Sequence, residues 1–162
     1  MDEHSPRESY DAESVAARAL ALFRGGYNCA EAVSTAVAEA FAPGQTCFPA
    51  AAGGFGGGIG RRGEVCGAVT GAVMALGLIR GRPAGDNEDE VRKAKDRTYE
   101  SVNEIVGSFE NRFGNIGCRE LTGYDLSSSE GREKFRDEKI AQRLCEGFVT
   151  TSARALVEVL TK

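Results

Sequence analysis

Apolar residues recur every three or four positions through most of this chain, and almost nowhere at every second one. Val15, Ala19, Leu22 and Phe23 mark one face of a helix between Glu13 and Arg24, which Gly25-Gly26 stops. Asn28 followed by Glu31 has the form of a capping box, so a second helix is predicted at once. Its inner face carries Ala30, Val33, Val37 and Phe41, and it ends at Pro43-Gly44. Residues 43–63 then read as one long loop, a length that is uncommon in a compact domain unless it is functional. Gly67 to Ile79 has Thr70 as its only polar residue and predicts a helix buried on all sides. Asn87 and Glu90 repeat the capping pattern and open a long helix, with Val91, Ala94, Thr98, Val102, Ile105, Phe109 and Phe113 on one stripe. The charged residues between Arg92 and Arg97 form its solvated face.

The stretch GNIGCRELTGYDL predicts a turn, a short helical piece and a second turn. Ser127 with Glu130 predicts a cap for a further helix, interrupted early at Gly131. Ile140, Leu144 and Phe148 lie four apart on a last helix that continues to Leu160. No run alternates with period two. The pattern therefore predicts an all-α, single-domain bundle of five to seven helices over residues 11–162, with one long Gly-rich loop. Residues 1–10 read as a flexible tail.

Charge and composition remove several functions. The net charge is −4 and the sequence pI about 5.2, without the basic face of a nucleic-acid binder. The opening MDEHSPRESYDAES has neither the basic nor the apolar region of a secretory signal, so a cytoplasmic location is expected. The uncharged run Val65 to Ile79 is shorter than the roughly 20 residues a membrane span requires, so the protein is not expected to be membrane-embedded. The single histidine, His4, lies in the polar tail. Ser-His-Asp catalysis and an imidazole zinc site are thereby disfavoured, and no C-x-x-C-H motif for haem exists.

The chemistry-bearing features are glycine and cysteine. Seven glycines fall within the eleven residues 53–63. GIGRRG at 58–63 matches G-x-G-x-x-G, but no strand precedes it, so the dinucleotide reading lacks its context. Glycines there either permit turns with positive φ or let the backbone approach a ligand and aim N–H groups at it. On the second reading, Gly57, Gly58, Gly60 and Gly63 are candidate cofactor-binding positions, with Gly67 and Gly71 making room on the helix that follows. Close helix–helix approach is the structural explanation for Gly67 and Gly71.

Of the five cysteines, Cys29, Cys66 and Cys118 are predicted at helix N-termini. Dipole and free N–H groups there would lower their pKa and favour thiolate. Cys145 is predicted mid-helix, facing inward, and Cys47 lies apart in the loop. No C-x-x-C pair is present, so any common site must be assembled by the fold. Four thiolates without imidazole suit a 2Fe–2S or 4Fe–4S cluster, or an all-thiolate zinc site.

With YNCAEAV at 27–33, GEVCGAVTGAVMALGL at 63–78, CRELTGYDL at 118–126 and Cys145, the chain resembles the C_GCAxxG_C_C family of redox-active proteins of bacteria and archaea. The central motif here reads CGAVTG. The resemblance implies Cys29, Cys66, Cys118 and Cys145 as the functional, metal-ligating set and leaves Cys47 outside it. It extends to the non-haem domain of split-Soret cytochromes, where a related domain carries an iron–sulfur centre. Three chemistries stay open. The first is electron transfer or redox sensing through an iron–sulfur cluster, 2Fe–2S, with a redox partner protein. The second is metal-free thiol–disulfide exchange with Cys66 as nucleophile. The third is zinc or soft-metal binding. The glycine-notched apolar helix suits a homodimer contact as well as a core.

Overall fold

The computed structural model describes residues 11–85 and 87–162; the expected tail at 1–10, with His4, lies outside the described residues. Among the described residues seven α-helices follow one another: α1 (Ala12–Arg24), α2 (Cys29–Phe41), α3 (Gly67–Arg80), α4 (Glu88–Phe113), α5 (Cys118–Thr122), α6 (Ser129–Asp137) and α7 (Glu146–Thr161). A 3₁₀ turn at Ala50–Phe55 and a π turn at Ala141–Cys145 complete the order. Among the described residues there is no β-strand, only one isolated antiparallel bridge between Val65 and Gly117. The all-α architecture expected from the hydrophobic period is therefore the observed one.

Helices α1, α2, α3 and α7 pack together as the centre of the bundle, and α4 lies along α3 and α7. Helix α2 is sheathed almost all round, since every residue from Ala32 to Ala38 is buried, where one apolar face was expected. Its short Ala, Ser and Thr side chains let neighbours approach on each side. Helix α3, expected to be buried on all sides, keeps Gly77 exposed and Val73, Met74 and Leu78 half-buried. The notch at Gly67 and Gly71 is filled from within the molecule. A Cβ at Gly71 would stand 2.5 Å from the Ala30 carbonyl oxygen, and one at Gly67 3.1 Å from Cys29 Cβ. Close approach of α2 and α3 thus requires glycine at both positions.

Several local expectations hold and others shift. Asn28 Oδ1 accepts from Glu31 N at 2.9 Å while Asn28 N donates to Glu31 Oε2 at 2.7 Å, the complete capping box. Asn28 Nδ2 also donates to Gly53 O at 3.1 Å, tying the 3₁₀ turn to α2. Asn28→Ala is expected to cost about 1–2 kcal/mol in urea unfolding; a loss of only a few tenths would show that the cap contributes nothing net. The α6 cap is Ser128, not Ser127: Ser128 Oγ accepts from Gly131 N at 3.0 Å. Gly131 does not interrupt α6, and Glu130 instead pairs with Lys134 at 2.8 Å. Residues 43–63 are not structureless, because the 3₁₀ turn occupies their middle.

Candidate functional site

Four segments meet at one end of the bundle, and each delivers a cysteine. Cys29 is the first residue of α2, Cys66 precedes α3 as its cap, Cys118 is the first residue of α5, and Cys145 closes the π turn before α7. All four line a single cavity of ≈ 220 Å³, closed by Phe23, Leu126, Phe135 and Phe148. Cys66, Cys118 and Cys145 are buried and Cys29 is half-buried. Cys47 is exposed in the loop and does not line the cavity.

The geometry that gathers them is local and readable. Cys66 N donates to Ile116 O at 2.7 Å and Cys118 N to Glu64 O at 2.7 Å, on either side of the Val65–Gly117 bridge. Side chains alternate across such a bridge, so Cys66 and Cys118 leave it on the same side. Cys145 arrives through the π turn, a form that recurs as an inserted residue at functional sites. A plain helix, as the sequence predicts, would rotate its side chain to another face. Arg24 grips Glu146 with two bonds of 2.9 and 2.7 Å and fixes the start of α7 beside Cys145. Phe148, in the cavity wall, is backed by a ring cluster with Phe109 and Phe113, at 5.8 and 4.8 Å.

The glycine loop packs against Cys118 and contributes Gly57 to the cavity wall. Five consecutive residues, Gly57, Gly58, Ile59, Gly60 and Arg61, have φ between 59° and 69°, a left-handed turn. Such a φ costs an L-residue about 1–2 kcal/mol, which explains glycine at most of these positions. A Cβ at Gly58 would lie 2.7 Å from Cys118 Cβ, and one at Gly63 2.9 Å from Arg119 Cβ. The loop thus rests its backbone directly on the start of α5. The expectation of N–H groups aimed at sulfur is not met along most of it. Ile59, Gly60, Arg61, Arg62, Gly63 and Glu64 all donate to backbone carbonyls. Gly57 and Gly67 line the cavity, whereas Gly60 faces open space and Gly71 serves packing. As the absence of a preceding strand implies, GIGRRG is no dinucleotide fingerprint: a 3₁₀ turn leads into it.

Electrostatics also departs from expectation. Burial pushes the Cys66 thiol up to about 12, although the N–H groups of Ala68 and Val69 at the start of α3 pull it down. Burial likewise raises Cys118 to about 11, with the neighbouring Cys145 and Glu120 adding to it. Cys29 is raised well above the ordinary thiol range, first by its hydrogen bond with Cys145 and then by burial. Cys145 alone is lowered, because Cys29 donates to its sulfur. Helix N-termini were expected to lower three of these values; at Cys66 and Cys118 removal from water outweighs the few N–H groups on offer, and at Cys29 the neighbouring Cys145 contributes most. A thiol whose folded pKa lies above its unfolded one holds its proton longer in the native state. Its contribution is complete below pH 9 and is lost as pH rises toward 12. Metal-free protein is therefore expected to lose stability steadily above pH 9, with a shallower fall in Cys66→Ser. Parallel urea midpoints against pH for the two proteins would contradict this assignment.

Among the described residues, no three or more His, Cys, Asp or Glu side chains stand close enough to share one metal ion. No described helix is long and apolar enough to cross a membrane. The closing residues Phe23, Leu126, Phe135 and Phe148 were not legible as site residues, because in sequence they carry only a core signal. A family model described as "Putative redox-active protein (C_GCAxxG_C_C)" matches residues 27–159. No curated protein matches the chain, and no solved structure does.

Proposed function

The chain belongs to the C_GCAxxG_C_C family of redox-active proteins, and on that premise we propose that the cavity walled by Cys29, Cys66, Cys118 and Cys145 is its redox centre. In this reading it binds an iron–sulfur cluster, 2Fe–2S, for electron transfer or redox sensing. The observation that carries it is the donor set: four thiols from four segments, without imidazole, in one apolar cavity. A single tetrahedral zinc, about 2.3 Å from every thiolate, requires all four sulfurs close together. Among the described residues no three His, Cys, Asp or Glu side chains stand close enough for one ion, which favours ligands taken two and two over a single zinc. A two-iron cluster takes its ligands two and two. The thiols of Cys29 and Cys145 act on each other most strongly, and Cys66 and Cys118 leave the same side of one bridge, which suits that division.

The cluster, when bound, supplies a one-electron couple. The chain's own contribution is to hold and shield it. Phe23, Phe135 and Phe148 exclude water, and a low dielectric strengthens every charge interaction inside. The Ala68 and Val69 N–H groups stabilise negative charge on Cys66 sulfur. Protein purified without oxygen is expected to be brown and to carry about two iron and two acid-labile sulfide per chain. Colourless protein with neither element contradicts the reading.

The Cys29–Cys145 contact favours one second reading. These two thiols would reduce a disulfide of a partner molecule, giving up two protons and two electrons and forming their own disulfide, while the partner leaves as two thiols. An iron-free protein whose oxidised form maps to a Cys29–Cys145 link would favour it over the cluster.

A further inference from the structure

Beside the cysteine cavity lies a second, open cleft of ≈ 650 Å³. The two share Asn28, Gly57, Leu126 and Phe135 as a common wall. The volume falls within the range of small-molecule sites. Three guanidinium groups face it, from Arg61, Arg132 and Arg136, in a chain whose net charge is −4. Arg61 makes no side-chain hydrogen bond or ion pair among the described residues. It is held there at φ 67°, an unfavourable conformation for a residue with a side chain. Arg136 has only an exposed contact of 3.9 Å with its neighbour Asp137. Arg132 is anchored, with Nη1 donating to Leu126 O and Ser127 O at 2.9 Å each.

The floor of the cleft is backbone. Gly53 and Gly54 line it, and neither is explained by the fold itself. Neither has positive φ, a Cβ at Gly54 would meet nothing within 4 Å, and one at Gly53 would make only an ordinary 3.4 Å contact with Glu31 Oε1. Glycine inside a 3₁₀ turn costs conformational entropy without return unless something else needs the space. A ligand lying on that floor supplies the need.

We propose that this cleft binds a small organic phosphate, with its head group on Arg61, Arg132 and Arg136 and its apolar part over Gly54 against Leu126 and Phe135. Three arginines lining one cleft match a head group of more than one negative charge, and a phosphate monoester carries about −1.5 to −2 at neutral pH. The site stands without the cysteines' chemistry. Its position, one side-chain layer from the cysteine cavity, makes it the substrate end of the redox centre, and that part rests on the function proposed above.

Isothermal titration of the purified chain with AMP, riboflavin 5′-phosphate and inorganic pyrophosphate tests it. At least one of the two organic phosphates is expected to bind, more tightly than pyrophosphate. Arg61→Ala with Arg136→Ala is expected to weaken it at least about tenfold. Gly54→Val is expected to weaken it similarly at unchanged thermal stability, which separates a filled cleft from a damaged fold. Silence from all three probes overturns the site, as does binding that survives both sets of substitutions. Iron and sulfide content are read on the same samples: loss of phosphate binding with intact cluster, or the converse, tells the two proposals apart.

Discussion

Cys66→Ser is expected to reduce iron from about two per chain to near zero while leaving the bundle folded. The sulfur is buried at the start of α3, next to the Val65–Gly117 bridge. Folding is spared for a specific reason. Cys66 is the residue that precedes α3 and makes no side-chain cap bond, and serine is a preferred residue at that position. Cys29→Ser, Cys118→Ser and Cys145→Ser are expected to behave likewise, and Cys47→Ser, exposed and remote, to keep full iron. Iron assays on anaerobically purified variants give the answer, with helical circular dichroism as the check on folding. Retention of full iron by Cys66→Ser would exclude it as a ligand.

The second large effect is steric. Gly71→Ala is expected to destabilise the protein by about 1–3 kcal/mol, net of the roughly 1 kcal/mol that alanine gains over glycine in a helix. The new Cβ would stand 2.5 Å from Ala30 O and 2.8 Å from Ala30 Cα, both backbone atoms that cannot swing aside. Helices α2 and α3 must separate, and with them Cys29 and Cys66. Gly77→Ala is the opposite case on the same helix. Nothing lies within 4 Å of a Cβ there, and the expected change is a gain of up to about 1 kcal/mol. Urea midpoints of the two variants should move in opposite directions; movement in the same direction would remove the notch as an explanation.

These two glycines also show where sequence reading succeeds and stops. The capping box at Asn28, the long α4 stripe and the helical period are local signals, and each appears in the structure where the pattern puts it. The convergence of four cysteines, the outermost of them Cys29 and Cys145, is not local. It was expected from chemistry and from resemblance, and the cavity now supplies the geometry. What escaped was conformation that one residue decides. The π turn before α7 and the left-handed run 57–61 leave no periodic trace, because they change register rather than composition. The thiol pKa values escaped for a different reason. A helix N-terminus is visible in sequence, whereas the apolar cover from Phe23, Phe135 and Phe148 that outweighs it is tertiary.

X-ray absorption at the iron edge of the anaerobic protein bears most directly on whether the four thiols act as one centre. The account predicts a first shell of sulfur alone at about 2.3 Å with a second iron nearby, lost together in any of the four serine variants. Oxygen or nitrogen in that shell, or an iron signal that survives replacement of all four cysteines, would contradict it.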